Sequence, residues 1–231
     1  MKFYLHIILI VMLIASIDAF GQYAIDNSGK IENKGTIKVK SGQVKGLPDT
    51  LKGRIEFLQH SFTSQQSIPN IVYEQLVLKN RAKKIVSDEY KNQDGTPRSL
   101  VTLDSLIIAD SGYFTTYWIG RNPNDIHAKA SVSNKASYTG PKYIKLNNEI
   151  VEQDLIGNGK FSKLEIDNPN GVNVKEGGAT IDSLRLTRGE LRNSQQNNIK
   201  MRDTSLIERK VGASIVAAPE FEGKTSIKYY G

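Results

Sequence analysis

One pentapeptide is written twice: "TLDSL" (Thr102 to Leu106) and "TIDSL" (Thr180 to Leu184). Each copy has a further aliphatic residue two positions on (Ile108, Leu186) and a glycine a few residues later (Gly112, Gly189), in "TLDSLIIADSGYF" and "TIDSLRLTRGELR". A second segment is also duplicated. "YEQLVLKN" (Tyr73 to Asn80) lines up with "FSKLEIDN" (Phe161 to Asn168) at an offset of 88 residues, and Val86 meets Val174 at the same offset. At the pentapeptide the offset is 78, because the first copy carries extra residues in "SDEYKNQDGTPRS". Fixed segments separated by a variable loop are what a solenoid of stacked units tolerates.

The segments themselves read as strands. Ile37 and Val39 alternate with lysines, Ile55 and Phe57 with Arg54 and Glu56, and Leu184 and Leu186 with Ser183 and Arg185. "TSIKYYG" puts Ile227 and Tyr229 on one side. Period-two alternation over four to eight residues marks a half-buried strand. Turn formers such as "ENKG", "NQDG", "DNPNG" and "KEGG" lie between them. "VYEQLVLKNRAKKIV" could be read as a helix, but Pro69 lies just upstream and the second copy contains "NPNG", which a helix interior excludes. A strand with one apolar stripe cannot bury it alone, whereas stacking the next turn covers the stripe and pairs the backbone edge.

The expected fold is therefore all-β: a right-handed parallel β-helix or similar β-solenoid, with helix confined to an N-terminal signal segment. The internal repeat spans about 54–115 and 150–231. The expected inward residues are Leu76, Leu78, Leu106, Ile108, Leu164, Ile166, Leu184 and Leu186. In the pentapeptide, Asp104 and Asp182 should point outward, while Ser105 and Ser183 fit a turn or a tight inward slot.

Residues 1–21 read as a secretory signal peptide. Lys2 precedes an apolar run from Phe3 to Ile17, and "AFG" places small residues before Gln22. That run is shorter than the roughly 20 residues needed to span a bilayer. Residues 22–231 would then be exported, with no stable membrane insertion after cleavage. The chain has no cysteine, which closes disulfide stapling and a cysteine-linked lipid anchor. The net charge of +7 comes from scattered lysines and arginines, not from a basic stripe with aromatic platforms, so nucleic acid is not an expected partner. Scattered lysines suit sheet faces and edges, where they deter edge-to-edge pairing.

Two longer stretches carry a resemblance: "GRIEFLQHSFTSQQSIPNIVYEQLVLKN" and "NGKFSKLEIDNPNGVNVKEGGATIDSLRLTRGELRNSQQNNIKMRDTSLIERKVGASI". They resemble a β-rich repeat of large secreted, adhesin-like proteins from Bacteroidetes-type bacteria. These often end in a sorting domain for the type IX route. The resemblance implies a secreted or cell-surface structural or adhesive module. No such sorting domain precedes Gly231, so the sequence reads as continuing beyond it. "FEGKTSIKYYG" reads as a strand with no polar cap, which implies association through its edge.

Catalytic signals are sparse. His6, His60 and His127 have no metal-ligand spacing, and no nucleophile elbow, phosphate loop or dinucleotide fingerprint occurs. No cofactor is expected. Two alternatives to a non-catalytic structural role remain, both with a polysaccharide or surface ligand as partner. A glycan-binding module would use the aromatic cluster Tyr113, Tyr117 and Trp118 for stacking; otherwise that cluster is a buried corner of the core. A polysaccharide-degrading β-helix would recruit charges such as Asp104, Asp110, Asp182, Arg185, Arg188 and Glu190.

Overall fold

The computed structural model describes residues 35–40, 47–59, 65–109, 113–116 and 124–231. The signal segment, His6, His60, Asp110, Tyr117 and Trp118 lie outside the described residues. Twenty strands and no helix form among those described. The first group is β1 (Thr36–Val39), β2 (Thr50–Phe57), β3 (Gln65–Ile68), β4 (Val72–Leu78), β5 (Lys83–Val86), β6 (Leu100–Ile108) and β7 (Tyr113–Thr115). Short strands follow: β8 (Ile126–Ala128), β9 (Ser131–Asn134), β10 (Ser137–Tyr138), β11 (Ile144–Leu146) and β12 (Gln153–Ile156). The last group is β13 (Lys160–Asp167), β14 (Val172–Lys175), β15 (Ala179–Arg188), β16 (Glu190–Arg192), β17 (Ile199–Lys210), β18 (Ser214–Ile215), β19 (Glu220–Phe221) and β20 (Thr225–Tyr230).

Every pairing between these strands is parallel, and the strands stack as a β-helix of about nine turns. The pairings sort into three faces. Face A stacks Leu100, Ile126, Ile144, Leu164, Leu184, Ile207 and Ile227 in register. Face B stacks Ile37, Ile55, Leu76, Leu106, Val132, Leu155 and Val174. Face C stacks Gln66, Lys84, Phe114, Tyr138, Phe161, Ile181, Met201 and Phe221. The eight expected inward residues are all fully buried, in one continuous apolar core.

The repeated pentapeptide is a corner. β4 and β6 cross from face A to face B, and their register shifts between Tyr73 and Gln75. β15 and β17 cross from face C to face A, with a shift between Ile181 and Ser183. The Asp-Ser pair supplies the extra backbone that bends the strand, as a β-bulge does. Asp104 points outward and accepts a hydrogen bond from the Gln75 amide; Asp182 points outward to Arg202 at 3.1 Å. Ser105 Oγ is buried without a partner, and Ser183 Oγ lies 3.3 Å from the Tyr143 hydroxyl.

The two sequence copies lie on different faces. Leu76 pairs with Leu106 as Leu164 pairs with Leu184, but the first pair stands on face B and the second on face A. The shift occurs through β8 to β12, where each face carries its own short strand. The first half of β6 lies under β8, which leads through β11 to the second half of β13.

Buried asparagines and glutamine hold the other corners, where the backbone leaves the ladders and needs partners. Asn168 Nδ2 donates to the Val151 carbonyl (2.9 Å) and to Gln153 Oε1 (3.0 Å). Gln153 Nε2 in turn donates to the carbonyls of Ala128 (2.9 Å) and Ala130 (2.6 Å). Asn70 clamps the insertion of the first copy by donating to the carbonyls of Tyr90 (2.8 Å) and Arg98 (2.9 Å). Lys84 stands on an inward column of face C. Its ammonium donates to the Ala82 carbonyl at 3.1 Å, and burial pushes it down to about 8.

Candidate functional site on face A

The outward column of face A carries one residue from each turn. Reading up the helix, His127, Lys145, Glu165, Arg185, Glu208 and Lys228 are aligned in register. Each sits between two inward residues of its strand, so the alternation that buries the leucines also fixes these side chains outside. From Lys145 onward the sign alternates at every turn. Adjacent strands lie about 4.8 Å apart, within reach of side-chain ion pairs.

The ladder is closed by direct contacts. Lys145 Nζ lies 3.0 Å from Asp125 Oδ2 and 3.3 Å from Glu165 Oε2. Arg185 bridges the next two rungs, with Nη1 3.5 Å from Glu165 Oε2 and Nε 2.9 Å from Glu208 Oε2. Thr187 donates to Glu165 Oε1 at 2.8 Å. Two phenols donate to Glu208: Tyr143 at 3.2 Å and Tyr230 at 3.1 Å. The Arg185 guanidinium also lies 4.1 Å from the centroid of the Tyr143 ring, with the Lys163 ammonium 5.3 Å from it. A planar guanidinium can stack on the ring and hold two carboxylates at once, which a lysine could not.

These contacts set the charge states. Burial pushes the Glu208 carboxyl up, but the hydrogen bonds from Arg185 and Tyr230 outweigh it and hold the group below its ordinary value. Burial likewise opposes the Lys145 ammonium, and Asp125 and Glu165 together raise it above its ordinary value. The His127 imidazole is lowered, first by burial and then by the Lys145 and Lys129 cations. Its Nδ1 lies 2.8 Å from Asn147 Nδ2, where a neutral ring with Nδ1 unprotonated accepts the amide's hydrogen. An open depression of about 450 Å³ lies along the ladder, lined by Lys145, Glu165, Arg185, Glu208, Lys210 and Tyr230.

Of the charges considered from sequence, only Arg185 belongs to this column. Arg188 binds Glu149 (2.5 Å) and Asp167 (2.5 Å), and Glu190 binds Arg192 at 3.0 Å. Asp104 and Asp182 stand at separate corners, and Asp110 is not described. Tyr113 is exposed on face C, with the Lys83 ammonium 5.8 Å from its ring centroid. Tyr117 and Trp118, the other two residues of the expected sugar-stacking cluster, lie outside the described residues. No metal-binding group of acidic or histidine side chains occurs among the described residues, and no described helix is long and apolar enough to cross a membrane.

The ladder had a sequence signal. "IKL" (144–146), "LEI" (164–166), "LRL" (184–186), "IER" (207–209) and "IKY" (227–229) recur about once per turn, and their middle residues alternate in sign. Offsets of 78 and 88 residues span several turns and step over that shorter period. Neither a family model, a curated protein nor a solved structure matches the chain.

Proposed function

We propose that the chain is a non-catalytic β-helical rod, a structural or adhesive module of a secreted or cell-surface protein, with face A as its contact surface. The observation that carries this reading is the interlocked ladder. A glycosidase needs one carboxyl raised so that it can give up a proton. The Glu208 carboxyl is held down instead, between Arg185, Tyr143 and Tyr230. The side chains hold one another in place, which stiffens a surface and favours recognition over proton transfer, while the lone pairs and N–H groups left over stay open to a ligand. The N-terminal "FYLHIILIVMLIASI" supports export, read as a signal peptide.

A glycan is the ligand that the depression favours. Glu165 and Glu208 offer acceptors, Lys145, Arg185 and Lys210 offer donors, and the Tyr230 ring stands at the rim. Sugar hydroxyls both donate and accept, and an aromatic ring at the edge of a polar groove suits a sugar face.

Incubation with a panel of soluble neutral and acidic polysaccharides should release no reducing ends and no unsaturated uronates. Turnover that disappears in Glu165→Gln or Glu208→Gln would overturn the non-catalytic reading. Affinity electrophoresis in the same polymers tests the ligand. Retardation weakened by Tyr230→Ala and Lys210→Ala supports a glycan on face A, whereas equal retardation of these variants places binding elsewhere.

A further inference from the structure

Face A carries more cations than its own carboxylates neutralise. On this wall Asp125, Glu165 and Glu208 are each bound by Lys145 or Arg185. Lys163 and Lys210 are left over. Neither ammonium has a carboxylate within ion-pair distance or a hydrogen-bond acceptor among the described residues.

The register places these two lysines on opposite flanks of the ladder. Lys163 precedes Glu165 by two residues on β13, Arg185 stands directly above Glu165 on β15, and Lys210 follows Glu208 by two residues on β17. Alternate residues of a strand share a face, so all three point out from the same wall. A rise of about 3.3 Å per residue and strands about 4.8 Å apart make them a diagonal line across the ladder, with about 8 Å between successive α-carbons. The Lys163 ammonium lies over the Tyr143 ring on which Arg185 stacks, which holds the first half of the line in place. Arg185 spends Nε and Nη1 on the two glutamates, and Nη2 is engaged by neither. All of these side chains project from the wall of the helix and not from its ends.

Resting on the reading of face A as a glycan surface, we propose that its ligand is an acidic polysaccharide laid obliquely across the ladder. Anionic substituents meet Lys163 and Lys210, and the sugar between them crosses Arg185. The reason is electrostatic. A neutral hydroxyl offers an ammonium little that water does not, whereas a carboxylate or a sulfate forms a charge-assisted hydrogen bond with it. The two lysines stand roughly 16 Å apart, beyond the reach of one sugar, so the ligand is a chain. A uronate or a sulfated sugar would supply the anion.

Affinity electrophoresis against matched polymers tests this. Polygalacturonate and dextran sulfate carry the anion; fully methyl-esterified polygalacturonate and dextran are their uncharged counterparts. The protein should be retarded by at least one anionic polymer and by neither counterpart, and the polymer that retards it assigns the carboxylate or the sulfate. Lys163→Ala and Lys210→Ala should each weaken retardation by about two- to fivefold, and the double variant by more. Lys163→Arg and Lys210→Arg should retain it. Lys160→Ala removes the same charge from the exposed outward column of face C and should leave retardation unchanged. A loss in Lys160→Ala equal to that in Lys163→Ala shows attraction by net charge alone and overturns the proposal, as does retardation indifferent to Lys163→Ala and Lys210→Ala. Equal retardation by an uncharged counterpart, weakened by Tyr230→Ala, overturns the acidic ligand and leaves the glycan reading standing. Retardation by no polymer, charged or neutral, overturns both.

Discussion

The carbonyl oxygen of Asn168 lies 1.8 Å from the point that a β-carbon on Gly189 would occupy, and Gly189 holds a φ of +79°. Adjacent turns touch backbone to backbone here, at the corner between faces A and B. This is the glycine that follows the second pentapeptide, and Gly178 makes the same approach to the Asn198 carbonyl. Gly189→Ala should lower the melting temperature through both the left-handed backbone and the clash. Gly212 is a built-in control, with φ +83° and nothing within 4 Å of its would-be β-carbon. Gly212→Ala should cost only the backbone preference, about 1–2 kcal/mol. Equal losses in the two variants, read from thermal unfolding, would show that the turns do not touch where described.

Removal of a core leucine should be felt wherever it lies in the stack. Leu164→Ala and Leu184→Ala each empty a fully buried position and should cost about 2–5 kcal/mol. Leu103, exposed at the corner of β6, is the comparison: Leu103→Ala should change stability by no more than about 0.5 kcal/mol. Chemical denaturation of the three variants checks this, and a silent Leu164→Ala would refute the register of β13 on β15.

Asn70 ties the insertion of the first repeat copy to the rod. Its side chain donates to the Tyr90 and Arg98 carbonyls and accepts from the Tyr90 amide at 3.1 Å. Asn70→Ala leaves these buried groups without that partner, a loss of about 1–3 kcal/mol. The Tyr90 amide should then exchange faster with solvent, by roughly ten- to a hundredfold if opening is local. Amides of β15 should keep their protection. Hydrogen exchange followed by mass spectrometry distinguishes this outcome from global loosening.

His127 gives the rod a pH dependence of known sign. The folded imidazole binds its proton below the ordinary value of 6.5, because burial and the neighbouring lysines oppose a further charge. As pH falls through 6.5 the unfolded chain takes up the proton first. Its stability contribution is therefore complete above that value and is lost on acidification toward the lowered folded value. His127→Gln should flatten the stability profile across that window. An unchanged slope would assign the dependence to other groups.

Much of the fold was legible in the sequence. Alternation in "FSKLEIDN" and "TIDSLRL" specified which side chains turn inward, and duplication of strand-and-turn units pointed to stacking, since a repeat unit needs its neighbours to bury its apolar stripe. The outward ladder was legible in principle, because Lys145, Glu165, Arg185, Glu208 and Lys228 recur with the turn. The 88-residue offset concealed it by matching segments several turns apart.

What the sequence by itself determined was therefore the inside and outside of each strand. A period of two says which way a side chain points and nothing about which face of the helix its strand occupies. That second property was decided by tertiary structure alone. Corner bulges bend β4 from face A to face B and β15 from face C to face A, while five short strands between them move the repeat by one face. For this reason Leu76 and Leu164 share a sequence motif and a buried environment yet stand on different walls. The charges from Lys145 to Lys228 form one line only because the last turns keep a common phase.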